Sequence, residues 1–164
     1  MTRALPLFIK DKSGAAATEL ALMLPLMLTV MFATFEAGNY FYTEQKIVEA
    51  VRQGARYAGR LPFSAYTCPG AVDNVVAGQI KNVTLTGSVS GSTPLIKDWE
   101  PEDIVITVSC NSGTTTGVFK ANPGGAPIVT VAATAGYSSL FSQLVTGSDV
   151  ALVRASAQSV VNGI

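Results

Sequence analysis

The chain has 164 residues, 48% of them apolar and 13% charged, with eleven basic side chains, eleven acidic ones and no histidine. That is room for one domain plus an anchor rather than two full domains. Zero formal charge without a Lys/Arg cluster argues against a nucleic-acid partner. The missing histidines remove His-based triads and most zinc sites, and the two cysteines, Cys68 and Cys110, form no CxxC pair.

Charge is unevenly placed. Residues 1–14 carry Arg3, Lys10 and Lys12 against Asp11, a short basic head that runs directly into an apolar stretch. That order is a membrane-targeting arrangement. From Ala15 to Phe35 the only charge is Glu19. As a helix these residues span about 31 Å at 1.5 Å per residue, against a hydrocarbon core of roughly 30 Å. The run is too long for the apolar core of a cleaved secretory signal. Phe35-Glu36-Ala37 after it offers no small-x-small cleavage site. The segment therefore predicts a retained transmembrane helix, and the basic head predicts a cytoplasmic N-terminus with the remainder in the periplasm. Pro25 lacks an N–H and is expected to kink this helix, which neighbouring helices tolerate.

Glu19 raises a question of its own. A carboxylate at mid-membrane costs on the order of 3 kcal/mol, less near the interface. It either snorkels to the cytoplasmic interface or finds a cation at its own depth, and no Lys, Arg or His lies nearby on the helix. Cutting the chain after Gly14 creates that cation, because Ala15 then carries a free α-ammonium and Glu19 becomes the fifth residue. A basic leader ending in Gly, followed by an apolar helix with Glu at position five, resembles the type IV prepilin signature. The resemblance implies that a prepilin peptidase cleaves between Gly14 and Ala15 on the cytoplasmic side. It also implies that Glu19 pairs with an α-ammonium, that of a neighbouring subunit during assembly.

Residues 36–60 place Ile47, Val51, Ala55 and Ala58 at helical spacing, with Glu44, Glu49, Arg52, Gln53 and Arg56 on other faces. This predicts an amphipathic helix continuing out of the membrane, with a weak Glu49–Arg52 pair on its surface. Tyr40, Phe41 and Tyr42 suit the aromatic belt at the outer interface.

Together, GAAATELALMLPLML, FEAGNYFY and EAVRQGARYAG resemble the TadE-like family, minor pseudopilins of tight-adherence (Tad/Flp) type IV pilus systems. The likeness is strong over residues 13–60 and looser at VTVAATAGYSSLFSQL and ALVRASAQSVV, where it implies a closing pair of strands; residues 61–127 carry no matching motif. Its implied partners are prepilin peptidase, the major Flp-type pilin, other minor pseudopilins, an inner-membrane assembly platform and membrane lipid. Its implied role is structural, in pilus priming, assembly, or the tip or base, with no cofactor. The alternative is an unprocessed bitopic anchor whose periplasmic domain binds a ligand or adheres to a surface. A hydrolase is disfavoured because no His and no GxSxG motif is present.

Residues 61–164 predict the periplasmic domain. Leu61-Pro62 breaks the helix. Ala71–Ile80 predicts a short helix, and strands are predicted over 82–90, 103–109, 128–137 and 150–161 from alternating apolar residues. The fold class is therefore α+β: a long transmembrane helix continuing into an amphipathic helix packed on a small antiparallel sheet of about four strands. Segments 86–94 and 111–127, rich in Gly, Ser, Thr and Pro, predict loops.

Cys68 and Cys110, both downstream of the anchor, either form one disulfide in an oxidising compartment or stay as buried thiols. A bridge would close a loop of about 43 residues, worth about 4 kcal/mol in chain entropy. Asp98, Glu100, Glu102 and Asp103 around Trp99 lack the Gly and the alternation of an EF-hand loop, so they predict a solvated acidic turn. Asn82-Val83-Thr84 fits a glycosylation sequon but falls in a predicted strand. Ser138 to Leu144 is either a packed turn or an exposed docking patch.

Overall fold

A computed structural model describes residues 14–68, 70–120, 122, 124–141 and 151–163. It divides after Asn39 into two units. The element order is α1 (Ala15–Gly59), β1 (Tyr66–Thr67), β2 (Ala71–Val72), α2 (Asn74–Thr86), β3 (Ile104–Asn111), β4 (Ala126–Tyr137) and β5 (Ala151–Val160). The class is α+β, as the sequence predicts. The expected basic leader lies outside the described residues, apart from Gly14.

In the second unit, β3, β4 and β5 form an antiparallel sheet in that order, and β1 and β2 form a separate two-stranded ribbon. The register sets Ile104 against Ala133, Ile106 against Val131, and Ala135 against Val153. Because side chains alternate along a strand, one sheet face carries the buried Ile104, Val129, Val131, Ala133 and Ala135. The other carries Val105, Thr107, Thr130 and Gln158, which are exposed or half-buried. α1 lays Ile47, Ala50, Val51, Ala55 and Ala58 into the same core. These positions recur every three or four residues, as one face of a helix requires.

The expected strand over residues 82–90 is not a strand. Asn82 to Thr86 is the last turn of α2, which begins at Asn74 behind the Asp73 cap. The Asp73 carboxylate accepts from the Val75 N–H at 2.9 Å and the Val76 N–H at 3.3 Å, satisfying two of the N–H groups left open at a helix start. Val83 and Leu85 imitate strand alternation, but Ile80 and Val83 continue a helical stripe. The intervening threonines bond backward along the helix, Thr84 Oγ1 donating to Ile80 O and Thr86 Oγ1 to Asn82 O, each at 2.8 Å. α2 stops at Gly87, whose φ of 78° is left-handed and whose N–H bonds Val83 O at 2.8 Å. The expected helix start at Ala71 is likewise shifted, since Ala71–Val72 is β2.

α1 and α2 approach closely where Gly54 meets Thr84. A Cβ on Gly54 would fall inside the Thr84 hydroxyl, so a hydrogen at position 54 is what admits the buried Thr84. Beside this crossing, Tyr57 Oη donates to Gln79 Oε1 at 3.2 Å.

The end of α1 is held from several directions. Tyr66 Oη donates to Ala58 O at 2.7 Å, and the N–H of Asn162 bonds Gly59 O at 2.8 Å. Burial first, and then the Tyr57 phenol, push the Tyr66 hydroxyl from the usual 10 up to about 12. A raised folded-state value means that this stabilisation is complete below about pH 10 and is lost as pH rises through about 12. Over that window the native protein is expected to lose on the order of 2 kcal/mol more than Tyr66→Phe. Denaturation midpoints of the two proteins across pH 9–12 check this; parallel curves would mean that the buried phenol does not drive it.

Candidate functional site

The first unit is described from Gly14 to Asn39, wholly within α1 except for Gly14 itself. Gly14 and Ala15 are both exposed, and Ala15 is the first α-helical residue. Glu19 follows one turn later and is exposed as well. From Ala15 to Phe35 every residue is exposed, including Leu22 at 81%, Leu26 at 67% and Met27 at 66%. An apolar surface on all sides of a helix calls for lipid or partner helices around it. This is the one helix among the described residues long and apolar enough to cross a membrane.

Its polar groups are turned inward. Thr18 Oγ1 donates to Ala15 O at 2.8 Å, Thr29 Oγ1 to Pro25 O at 2.8 Å, and Thr34 Oγ1 to Met31 O at 2.7 Å. Each hydroxyl is thereby satisfied by its own helix, the condition for placing Thr in hydrocarbon. The helix assignment is continuous through Pro25. Glu19 remains as the one carboxylate in the apolar run.

In the second unit, α1 continues with Phe41 and Tyr42, both 61% exposed. Lys46 Nζ sits 4.5 Å from the centre of the Tyr42 ring, within cation–π range. Tyr40 departs from the expected belt, because its ring meets that of the buried Tyr137 edge-on at 5.3 Å. Glu49 accepts from Gln53 Nε2 at 3.3 Å, one turn on, rather than from the expected Arg52.

The family model described as TadE-like protein matches residues 14–56. Over this segment, and not over the chain as a whole, the protein is similar to that family. No curated protein and no solved structure matches the chain. The TadE-like match opens on Gly14 and runs to Arg56, so it covers the apolar run and most of the amphipathic part of α1. The looser resemblance in β4 and β5 lies outside the matched residues.

Elsewhere the structure sorts the other candidates. Cys68 and Cys110 are joined by a disulfide. Asn82 Nδ2 donates to Val89 O at 2.6 Å from within α2. The acidic turn is ordered around a buried Trp99, with Glu100 and Asp103 exchanging capping bonds, and no cluster with metal-ligand composition occurs among the described residues. Of Ser138–Leu144, the described part ends at Phe141, with Leu140 at 59% exposure. Sequence reasoning missed two features: Trp99 as an anchor of the core, and an exposed row formed by Arg52, Arg56 and Arg60.

Proposed function

We propose that the protein is a minor pseudopilin of a Tad pilus, cut by prepilin peptidase between Gly14 and Ala15 and acting in pilus priming, assembly, or the tip or base. One observation carries this: Glu19 is a lone carboxylate on a helix that is apolar and exposed on every side, one turn from Ala15. Cleavage turns Ala15 into an α-ammonium at the same helix end, and the Ala15 of a neighbouring subunit supplies the cation that Glu19 needs in lipid. In this reading the N-terminus faces the cytoplasm and the second unit lies in the periplasm. The partners are the major Flp-type pilin, other minor pseudopilins and the inner-membrane assembly platform.

Intact mass and N-terminal sequencing of the protein from its native membrane test the reading. The mature chain is expected to begin at Ala15, and Gly14→Asp is expected to leave it uncut. Glu19→Ala is expected to be cut normally but to fall at least tenfold in the pilin-associated fraction. A native chain beginning at Met1 overturns the pseudopilin reading and leaves a bitopic anchor.

A further inference from the structure

Among the charged side chains of the second unit, two groups of like sign stand out. Arg52 and Arg56 lie one turn apart on α1, Arg60 follows immediately after its end, and all three are exposed. At 100° per residue, Arg52 and Arg56 each sit about 160° around the helix from Gly54, the residue that abuts Thr84 of α2. They therefore point away from α2. Among the described residues no carboxylate pairs with these three arginines, and the nearby Glu49 is engaged by Gln53.

The second group is the turn at residues 98–103, where Asp98, Glu100, Glu102 and Asp103 are all exposed. This turn is rigidly held. Trp99 anchors it in the core, Glu100 and Asp103 cap one another, and Lys81 Nζ of α2 donates to Pro101 O at 2.9 Å. A carboxylate has about four acceptor positions, so the capping bonds leave Glu100 and Asp103 free to accept more. The turn is thus tied to the helix that the arginines face away from, and the two charge groups do not meet within one copy.

We infer that the Arg52–Arg56–Arg60 face of one copy docks on the acidic turn of a second copy of this chain. The chain carries both halves of a complementary pair, three exposed arginines and four exposed carboxylates, so a like copy offers each half its counterpart. Guanidinium groups bind carboxylates through two parallel N–H donors, which fixes orientation as well as attraction. The contact joins unlike patches, so each docked copy still presents one free arginine face and one free acidic turn. Such a head-to-tail contact repeats into a ladder instead of closing as a two-fold dimer. It does not depend on cleavage after Gly14.

The test uses the full chain in non-ionic detergent at about 50 mM salt, where exposed charges are least screened, followed by sedimentation velocity. The native protein is expected to form species larger than a dimer, which shrink on raising the salt. Arg52→Glu/Arg56→Glu keeps an acidic turn but loses the arginine face. Asp98→Asn/Glu102→Gln does the reverse, keeping the Glu100–Asp103 cap and a residue tolerant of the left-handed backbone at position 98, where φ is 57°. Each variant alone is expected to associate at least tenfold more weakly than the native chain. Mixed in equal amounts, the two are expected to regain association but stop at a one-to-one pair, because only one working contact can form. Circular dichroism confirms that each variant is folded, and Arg52→Gln/Arg56→Gln replaces the first if it is not. A native protein that stays monomeric, variants that associate as it does, or a mixture no stronger than its parts would each overturn the inference.

Discussion

Replacing Trp99 by alanine is expected to destabilise the second unit by about 3–5 kcal/mol, the range for truncating a large buried aromatic side chain. Trp99 is the only tryptophan, and although it belongs to a loop it is only 3% exposed. Its Nε1 donates to Thr134 O at 2.9 Å, so the ring is fixed at both its apolar body and its polar tip. Alanine would leave a cavity among the core residues and remove that donor from Thr134 O. Trp99→Phe keeps most of the volume and loses the hydrogen bond, so its cost is expected to be smaller, about 1–2 kcal/mol. Urea unfolding of the full chain, followed by circular dichroism because the variant lacks the fluorophore, measures both. A cost for the alanine variant below about 1 kcal/mol would mean that the ring does not support the core. The same variant should loosen the acidic turn, since Trp99 lies between Asp98 and Glu100.

How much of this was legible depended on the length of each pattern. α1 shows twice in the sequence, first as an uninterrupted apolar run and then as Ile47, Val51, Ala55 and Ala58 at helical spacing. β3, β4 and β5 are eight to twelve residues long and alternate cleanly, so their positions were readable to within a few residues. Residues 82–90 misled because Val83 and Leu85 are two apart, a spacing that fits a strand over a short window but here belongs to a helix tail. β1 and β2 have two residues each and carry no period at all. Their pairing exists because the chain around them is tied down. For the candidate site, the reading of Gly14, Ala15 and Glu19 rests on a resemblance joined to their place at the start of the apolar run, and it is carried forward as a proposal. The arginine row was not legible: Arg52 and Arg56 are dispersed in a linear reading and come together only when the helix stacks every fourth residue, with Arg60 just beyond its end.

The tie around β1 and β2 leads to the second large effect. Cys68→Ser/Cys110→Ser is expected to cost the second unit about 4 kcal/mol, because the bridge restricts the unfolded chain over a long loop. The sequence separation is 42 residues, and the loop so closed contains the whole of α2 and the acidic turn. The damage should not be uniform. Cys110 belongs to β3 opposite Pro127, so eight register pairs to β4 hold its strand without the sulfur. Cys68 has no comparable support, since the β1–β2 ribbon pairs only Tyr66 with Val72 and Thr67 with Ala71. Gly124 lies directly over the Cys68 side chain, where a Cβ would not fit, so the loop leading into β4 depends on the bridge as well. Hydrogen exchange on the full chain should therefore show Asp73 and Gly125, whose N–H groups bond Ala65 O and Asn122 O, losing protection first when the bridge is reduced, with Val129 and Val131 in the core following only on global unfolding. A uniform loss across β3 and β4 would instead make the bridge a support of the sheet itself. No loss anywhere would mean that the ribbon is held by the Tyr66 hydroxyl on Ala58 O, and Tyr66→Phe in the reduced protein would then release it.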